Sequence, residues 1–400
     1  MGAKDWLGAP LRAKLDVALL GLKRRVLAGS SPCTKLTLEL LRDLVAASRF
    51  RGPAEMMDAV RSLGQELVGA ASTELCIGNV VRRVLFIIRE ETARIASGDS
   101  SLSASSHREN RSRNNSQVDS LDGEEAAEPT EQQGNGLADS LGSRSLLGSI
   151  INASSSALSD KDAGLSVRRM HELRQAVLHS INELYEELDN LYVPICEQSP
   201  EYIHADECIF TIGHSVLVES FLKAAARKRR FYLIVAEGGP QLEGHKLASA
   251  LSKVANISTT LVPDSSVYAI MSRVNKVVIS PLAVLADGGM IAASGSEMVA
   301  IAAKDFSVPL VCLASTFMLS PVFAHNHAEV LSQLLSPALV MDYSTQFQAD
   351  SVEILVAAYD YVAPHLIDAY ITNNGTHQPS YVYRLLSEYY HPADSDFGFA

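Results

Sequence analysis

The stretch from Lys276 to Ser320, KVVISPLAVLADGGMIAASGSEMVAIAAKDFSVPLVCLASTFMLS, leaves the chain few folds to choose from. Lys276–Ser280 and Pro309–Ala314 are short apolar runs rich in Val, Ile and Leu, the composition of strands buried on both faces of a parallel sheet. The spacing of Met298, Ile301, Ala302 and Phe306 predicts a helix between them, opened by the permissive Gly295 and the capping hydroxyl of Ser296 and closed by Pro309. Strand, Gly-rich turn, helix and strand make one crossover unit of an open α/β sheet.

The same alternation is legible on both sides of this unit. Upstream, strands are expected at Ile209–Ile212, Phe231–Ala236 and Ser258–Val262, with helices at His214–Arg227, Leu242–Ala255 and Ser266–Arg273. Downstream, residues 324–351 lack a steady period and read as a surface excursion. An element at Val352–Val356, a helix after Pro364 and a last helix over Ser380–Tyr390 close the unit. The expected fold class is α/β, with a Rossmann-like, doubly wound, mostly parallel sheet over residues 201–400.

Residues 1–96 are helical instead. Leu15, Leu19 and Leu22, then Leu36, Leu40, Leu41 and Leu44, then Leu75, Val80, Val84 and Ile87 recur at three- and four-residue spacings, and Gly29 and Pro53 divide them into separate helices. Residues 97–165 hold seventeen serines and no Phe, Trp or Tyr, too little apolar surface to offset the entropy of ordering, and are expected to be a disordered, acidic insertion. Helical spacing resumes at Met170, Leu173, Val177, Ile181, Leu184 and Leu188, so residues 166–200 are expected to complete the helical domain and lead into the sheet.

The five cysteines form no paired framework, and Cys312 sits inside a strand pattern where a thiol behaves as a small hydrophobe; a reduced, cytosolic protein is expected. No run of about 18 apolar residues marks a membrane span. The net charge of −12 is uneven: residues 1–96 hold 15 Lys and Arg against 10 Asp and Glu, too sparse to argue for nucleic acid but suited to steering an acidic protein partner.

The frame L-A-D-G-G-M-x-A-A-S-G-S-E from Leu285, with A-A-K at Ala302, P-L-V-C at Pro309 and L-S-P at Leu319, resembles the regulatory subunits (alpha, beta and delta) of eukaryotic translation initiation factor 2B. Two further runs, IFTIGHSVLVESFLKAAARKRRFYLIVAEGGPQLEGHKLA from Ile209 and YDYVAPHLIDAYITNNGTHQPSYVYRLLSEYYHP from Tyr359, are similar to the beta branch of that family. The resemblance is strong over residues 167–394 and weaker over the first ninety or so. It implies a non-catalytic subunit of a guanine nucleotide exchange factor that reloads initiation factor 2 with GTP, the exchange chemistry residing in the epsilon subunit. It also implies partners: the delta, gamma, epsilon and alpha subunits, and the alpha subunit of initiation factor 2, including its phosphorylated, inhibitory form.

The family shares its fold with small sugar-phosphate isomerases. Frame by frame, the isomerases' cysteine, arginine and carboxylate fall here on Gly213, Gly239 and Leu282, which removes the nucleophile, the phosphate clamp and the proton shuttle. A diverged isomerase and a sugar-phosphate- or nucleotide-sensing module remain the alternative readings. No catalytic residue, cofactor or metal site is expected. Gly239–Lys246 satisfies only the first half of a phosphate-loop spacing, with His245 at the second motif position and Leu247 where the hydroxyl is required, and the His325–His327 pair has no further ligand at useful spacing. His214–Ser215 is explained by a helix start, as is an amide site at Gly295–Ser296. Glu183 and Glu186, off the apolar stripe of the long helix, form with His204, Asp206 and Tyr232 the candidate partner interface.

Overall fold

The computed structural model describes residues 8–27, 29–97, 167–323, 333–343 and 352–394. The insertion expected over 97–165 lies, after Ser97, outside the described residues, and so does the His325–His327 pair. The first half is a bundle of α1 (Ala9–Lys23), α2 (Ser30–Ala47), α3 (Pro53–Ala70), α4 (Leu75–Ser97) and α5 (Val167–Asp189). The leucine stripes read from the sequence close one core, in which Leu15, Leu41, Val60, Leu63, Val84, Leu173, Val177 and Ile181 are buried together. Gly64 sets how closely α3 and α4 approach, since a Cβ there would stand 2.7 Å from Val81 Cγ1. The long α5 packs back onto α2 and α4.

Two short helices, α6 (Tyr192–Glu197) and α7 (Ser199–Tyr202), lead into β1 (Cys208–Ile212), α8 (Val216–Ala226), β2 (Phe231–Ala236), α9 (Glu243–Leu251), β3 (Ile257–Val262), α10 (Val267–Met271) and β4 (Lys276–Ile279). There follow β5 (Ala283–Val284), β6 (Met290–Ala293), α11 (Ser296–Asp305), β7 (Leu310–Leu313), β8 (Tyr359–Val362), β9 (Ala369–Thr372), β10 (Gly375–His377) and α12 (Val382–Tyr389). The main sheet has the order β10-β9-β7-β4-β1-β2-β3, parallel throughout except for β10. Alternate residues of β1 face opposite layers: Phe210 and Ile212 pack toward α10, α11 and α12, and Ile209 toward α6, α8 and α9. The sheet is doubly wound, as expected. A small antiparallel sheet, β5-β6-β8, stands beside it.

Five expectations are corrected. The element expected at Val352–Val356 is absent, and the helix expected after Pro364 is only a 3₁₀ turn, Pro364–Leu366, leading into β9. The helices expected at Leu242–Ala255 and Ser266–Arg273 shrink to Glu243–Leu251 and Val267–Met271. Met298, Ile301 and Phe306 do not face the core: they are 43%, 47% and 38% exposed, while Val299, Ala300, Ala302 and Ala303 are buried. A 3.6-residue period admits more than one stripe, and a helix lying close against a sheet buries its small residues.

The two halves meet in a polar seam. Phe317, after β7, enters the helical core, and the buried Asn79 donates from Nδ2 to its carbonyl at 3.1 Å. Asp394, with a side chain that is 0% exposed, pairs with Arg61 Nη2 at 2.9 Å and with Arg89 through Nε at 2.9 Å and Nη2 at 3.0 Å. Arg82, 1% exposed, donates from Nε to the Asp394 carbonyl at 3.1 Å. Burial opposes ionisation of Asp394, but Arg89 and Arg61 outweigh it and hold its pKa below the ordinary carboxylate value.

Candidate functional site

Chain order along the sheet reverses between β4 and β1: β2 and β3 lie on one side of β1, and β4, β7 and β9 on the other. In an open α/β sheet the crevice at such a switch point, beyond the carboxyl ends of the strands, is where a ligand is bound. Here that mouth is formed by Gly213–Ser215 after β1, Glu237–Gly239 after β2, Asp264 after β3, Ser280–Leu282 after β4 and the start of α11.

The backbone is tightly drawn together at the end of β1. Gly213 and Gly238 both have φ of +69°, and a Cβ on Gly238 would stand 3.3 Å from the Gly213 Cα. Gly295, at φ +96°, faces Ile212, whose Cδ1 would be 3.0 Å from an added Cβ. The α9 helix begins so close to β2 that a Cβ on Gly244 would come within 2.0 Å of the Ala236 carbonyl oxygen. Only glycine fits there.

Four amides of this mouth are already occupied. The N–H groups of Gly238 and Gly239 donate to the two carboxylate oxygens of Asp264, at 3.0 and 2.7 Å. Those of Gly295 and Glu297 donate to Asp360 Oδ2, at 2.6 and 3.3 Å. Helix α11 is therefore capped, as the sequence suggested, but by a carboxylate from β8 rather than by Ser296, whose fully buried hydroxyl has no hydrogen-bond partner. Ser215 likewise stands at the N-cap of α8 without a side-chain cap bond.

The charged side chains of the mouth are paired in ways that leave no proton shuttle at the isomerase positions. His214 Nε2 lies 3.1 Å from Glu219 Oε2, and Lys223 Nζ lies 2.5 Å from Glu219 Oε1. Lys223 and then His214 hold the Glu219 pKa below its ordinary value despite partial burial. Glu237 lies 3.9 Å from the exposed His245, and Leu282 packs against Leu285, Ile291 and Tyr361. The turn between β5 and β6 is tied to the fold rather than offered to a ligand: Tyr361 Oη donates to Asp287 Oδ2 at 2.5 Å, and Tyr370 Oη to the Gly288 carbonyl at 2.8 Å. A cavity of about 400 Å³ lies elsewhere, beside β10, lined by Thr376, His377, Gln378, Ser380 and Tyr381. Burial lowers the His377 pKa, so its lining carries no cation at neutral pH to hold a phosphate. Among the described residues no group of three His, Cys, Asp or Glu side chains is arranged to hold a metal.

The candidate interface residues fall in two places. Glu183, whose Oε1 lies 3.4 Å from His179 Nε2, and Glu186 are exposed on α5. Glu187, one residue on, is instead drawn toward the sheet, accepting from Asn373 Nδ2 at 3.3 Å. His204, Asp206 and Tyr232 gather at the opposite end of the sheet from the mouth. There the Asp206 N–H donates to the Arg230 carbonyl at 2.8 Å, Arg229 Nη1 lies 2.6 Å from His204 Nδ1, and Tyr232 is 47% exposed. Arg229, in the basic run after α8, is thus partly spent on internal contacts.

Residues 27–379 match the model of the initiation factor 2 subunit family. The chain belongs to that family. Its resemblance within the family runs to the beta subunit: it is 39% identical, over 94% of its length and 95% of the relative's, to translation initiation factor eIF2B subunit beta of Dictyostelium discoideum. The crystal structure of eIF2B beta from Chaetomium thermophilum superposes with a TM-score of 0.68 at 26% identity, covering 96% of this chain and 94% of that one. The tetrameric eIF2B-beta2-delta2 complex from the same organism matches with a TM-score of 0.66 at 24% identity, over 95% of each chain. Ribose 1,5-bisphosphate isomerase of Haloferax volcanii is 25% identical over 58% of this chain and 72% of its own length. The family assignment places the chain among translation initiation factor subunits. No helix among the described residues is long and apolar enough to cross a membrane.

Proposed function

We propose that this chain is a non-catalytic regulatory subunit of the guanine nucleotide exchange factor for initiation factor 2, acting in the cytosol as a scaffold and as part of the docking surface for that factor's alpha subunit. The observation that carries the reading is the state of the mouth. Gly213, Gly239 and Leu282 supply no nucleophile, no phosphate clamp and no proton-exchanging group, and the surrounding amides are satisfied by the chain's own carboxylates. A fold related to isomerases is thus left with surface and shape. The beta2-delta2 assembly of the Chaetomium relatives supports pairing with a delta subunit; alpha, gamma and epsilon subunits complete the proposed assembly. Glu183 and Glu186, exposed on α5, are the proposed contact for the alpha subunit of initiation factor 2, and His204, Asp206 and Tyr232 a proposed contact for another subunit.

The test uses the purified full chain. Incubated with ribose phosphates it yields no isomer, and added alone to GDP-loaded initiation factor 2 it does not accelerate GDP release, whereas the reconstituted complex does. Turnover by the single chain, of either kind, would falsify the reading.

A further inference from the structure

Two amide pairs that converge on the end of β1 are each filled by a carboxylate, and neither carboxylate comes from the local sequence. Asp264 reaches Gly238 and Gly239 from the strand beyond, and Asp360 reaches Gly295 and Glu297 from β8, more than 60 positions along the chain. A helix N-terminus is ordinarily capped by the side chain of its own N-cap residue. Here that residue is Gly295 at φ +96°, which has no side chain to offer, and the fold brings in Asp360 instead. Backbone N–H groups at a helix start and in a glycine turn are the donors that proteins present to phosphate groups. Between the two amides held by Asp360 stands Ser296, whose buried hydroxyl has no partner and is a further polar group suited to such a ligand.

Resting on the non-catalytic reading of this site, we propose that Asp360 and Asp264 are exclusion residues: their carboxylates occupy the anion positions of the mouth, so the native chain refuses phosphate monoesters, and removing the Asp360 carboxylate opens a site for them. A phosphate approaching the native mouth meets the N–H groups of Gly238, Gly239, Gly295 and Glu297 already donating, and two carboxylates of its own sign. With Asp360 gone, the N–H groups of Gly295 and Glu297 regain an unfilled direction, with the positive end of α11 behind them.

The experiment is calorimetric titration of the full chain with inorganic phosphate and with ribose 5-phosphate at constant ionic strength, with far-ultraviolet circular dichroism and cooperative unfolding recorded for each variant. The expected result is no saturable binding to the wild type up to about 10 mM, and binding to Asp360→Ala at least about tenfold tighter, in the low millimolar range. Asp360→Asn, which keeps an acceptor for the Gly295 N–H but drops the charge, lies between the two, and is the variant that decides should Asp360→Ala fail to fold. Asp264→Asn shows the smaller gain, because α11 remains capped. Wild-type binding as tight as that of the folded variants overturns the proposal, and so does a complete absence of binding in folded Asp360→Ala or Asp360→Asn. Isomer formation by the wild type would instead overturn the non-catalytic reading itself, so the two failures are distinguishable.

Discussion

Two sites in this molecule use the same chemical group for different ends. At the seam between bundle and sheet, the Asp394 carboxylate is buried among guanidinium groups, two of which hold it while a third takes its carbonyl. At the mouth of the sheet, Asp264 and Asp360 are half-buried and held only by backbone N–H groups. A carboxylate matched to arginines is a lock, since removing the arginines strands a fully buried charge. A carboxylate on amides replaces a cap or a ligand, and its removal leaves donors that water or another anion can reach. The buried, arginine-matched carboxylate thus joins the two halves, and the amide-bound carboxylates stand where related folds bind ligands.

The largest effect is expected at the seam. Asp394→Ala leaves Arg89 without a carboxylate partner and Arg61 with Asp58 alone, and is expected to cost about 3 kcal/mol in urea unfolding. A loss no larger than that at Asp360 would show the two sites to be alike. The seam also carries a pH signature. The folded-state pKa of Asp394 is depressed, so its stabilisation is fully present above the unfolded carboxylate value, ~3.9, and is lost as pH falls through the folded value. Acid unfolding followed by fluorescence is expected to lose that limb in Asp394→Asn.

The mouth's dependence on close backbone approach is tested by Gly244→Ala. Its Cβ would meet the Ala236 carbonyl oxygen at 2.0 Å, so β2 and α9 must separate, at an expected cost of about 1 to 3 kcal/mol in the same unfolding experiment. Asp360→Ala sharpens the contrast with the seam: loss of a cap is expected to cost about 1 kcal/mol, well below the effect at Asp394. Replacing residues 98–166 by a Gly-Ser linker half as long is expected to shift stability by only ~0.6 kcal/mol, since loop closure depends weakly on length and a tract without aromatics adds little to a core. Smallest of all is charge reversal of Glu183 and Glu186, within about 0.5 kcal/mol in stability. Its expected effect is on kinetics: slower association of initiation factor 2 with the assembled complex at low salt, with assembly of the subunits intact. Unchanged association rates would move the docking surface elsewhere, with the basic first bundle helices as the next candidate.

The sequence by itself determined the crossover at Lys276–Ser320, the strands at Ile209–Ile212 and Phe231–Ala236, the leucine-lined helices and the burial of Cys312, because each depends on a period of two or of 3.6 residues, or on a short apolar run, within a dozen positions. The resemblance to isomerases also placed that family's catalytic positions on Gly213, Gly239 and Leu282, and which side chain stands at a matched position needs no fold to be read. Tertiary structure alone decided which face of α11 is buried, because Val299, Ala300, Ala302 and Ala303 are chosen by the closeness of the sheet and not by hydrophobicity. It decided that β8 and β9 are strands, each too short for an alternating pattern to register and each defined by a neighbour far away in sequence, with β10 folding back on β9 through the turn at Asn373 and Asn374. It also decided where the carboxylates go. Asp360 reads locally as a polar residue between two tyrosines and Asp394 as part of an acidic tail. Their partners lie 63 to 65 positions away for Asp360 and 305 to 333 for the side-chain pairs of Asp394, separations at which no local period carries information and only the packed chain brings donor and acceptor together.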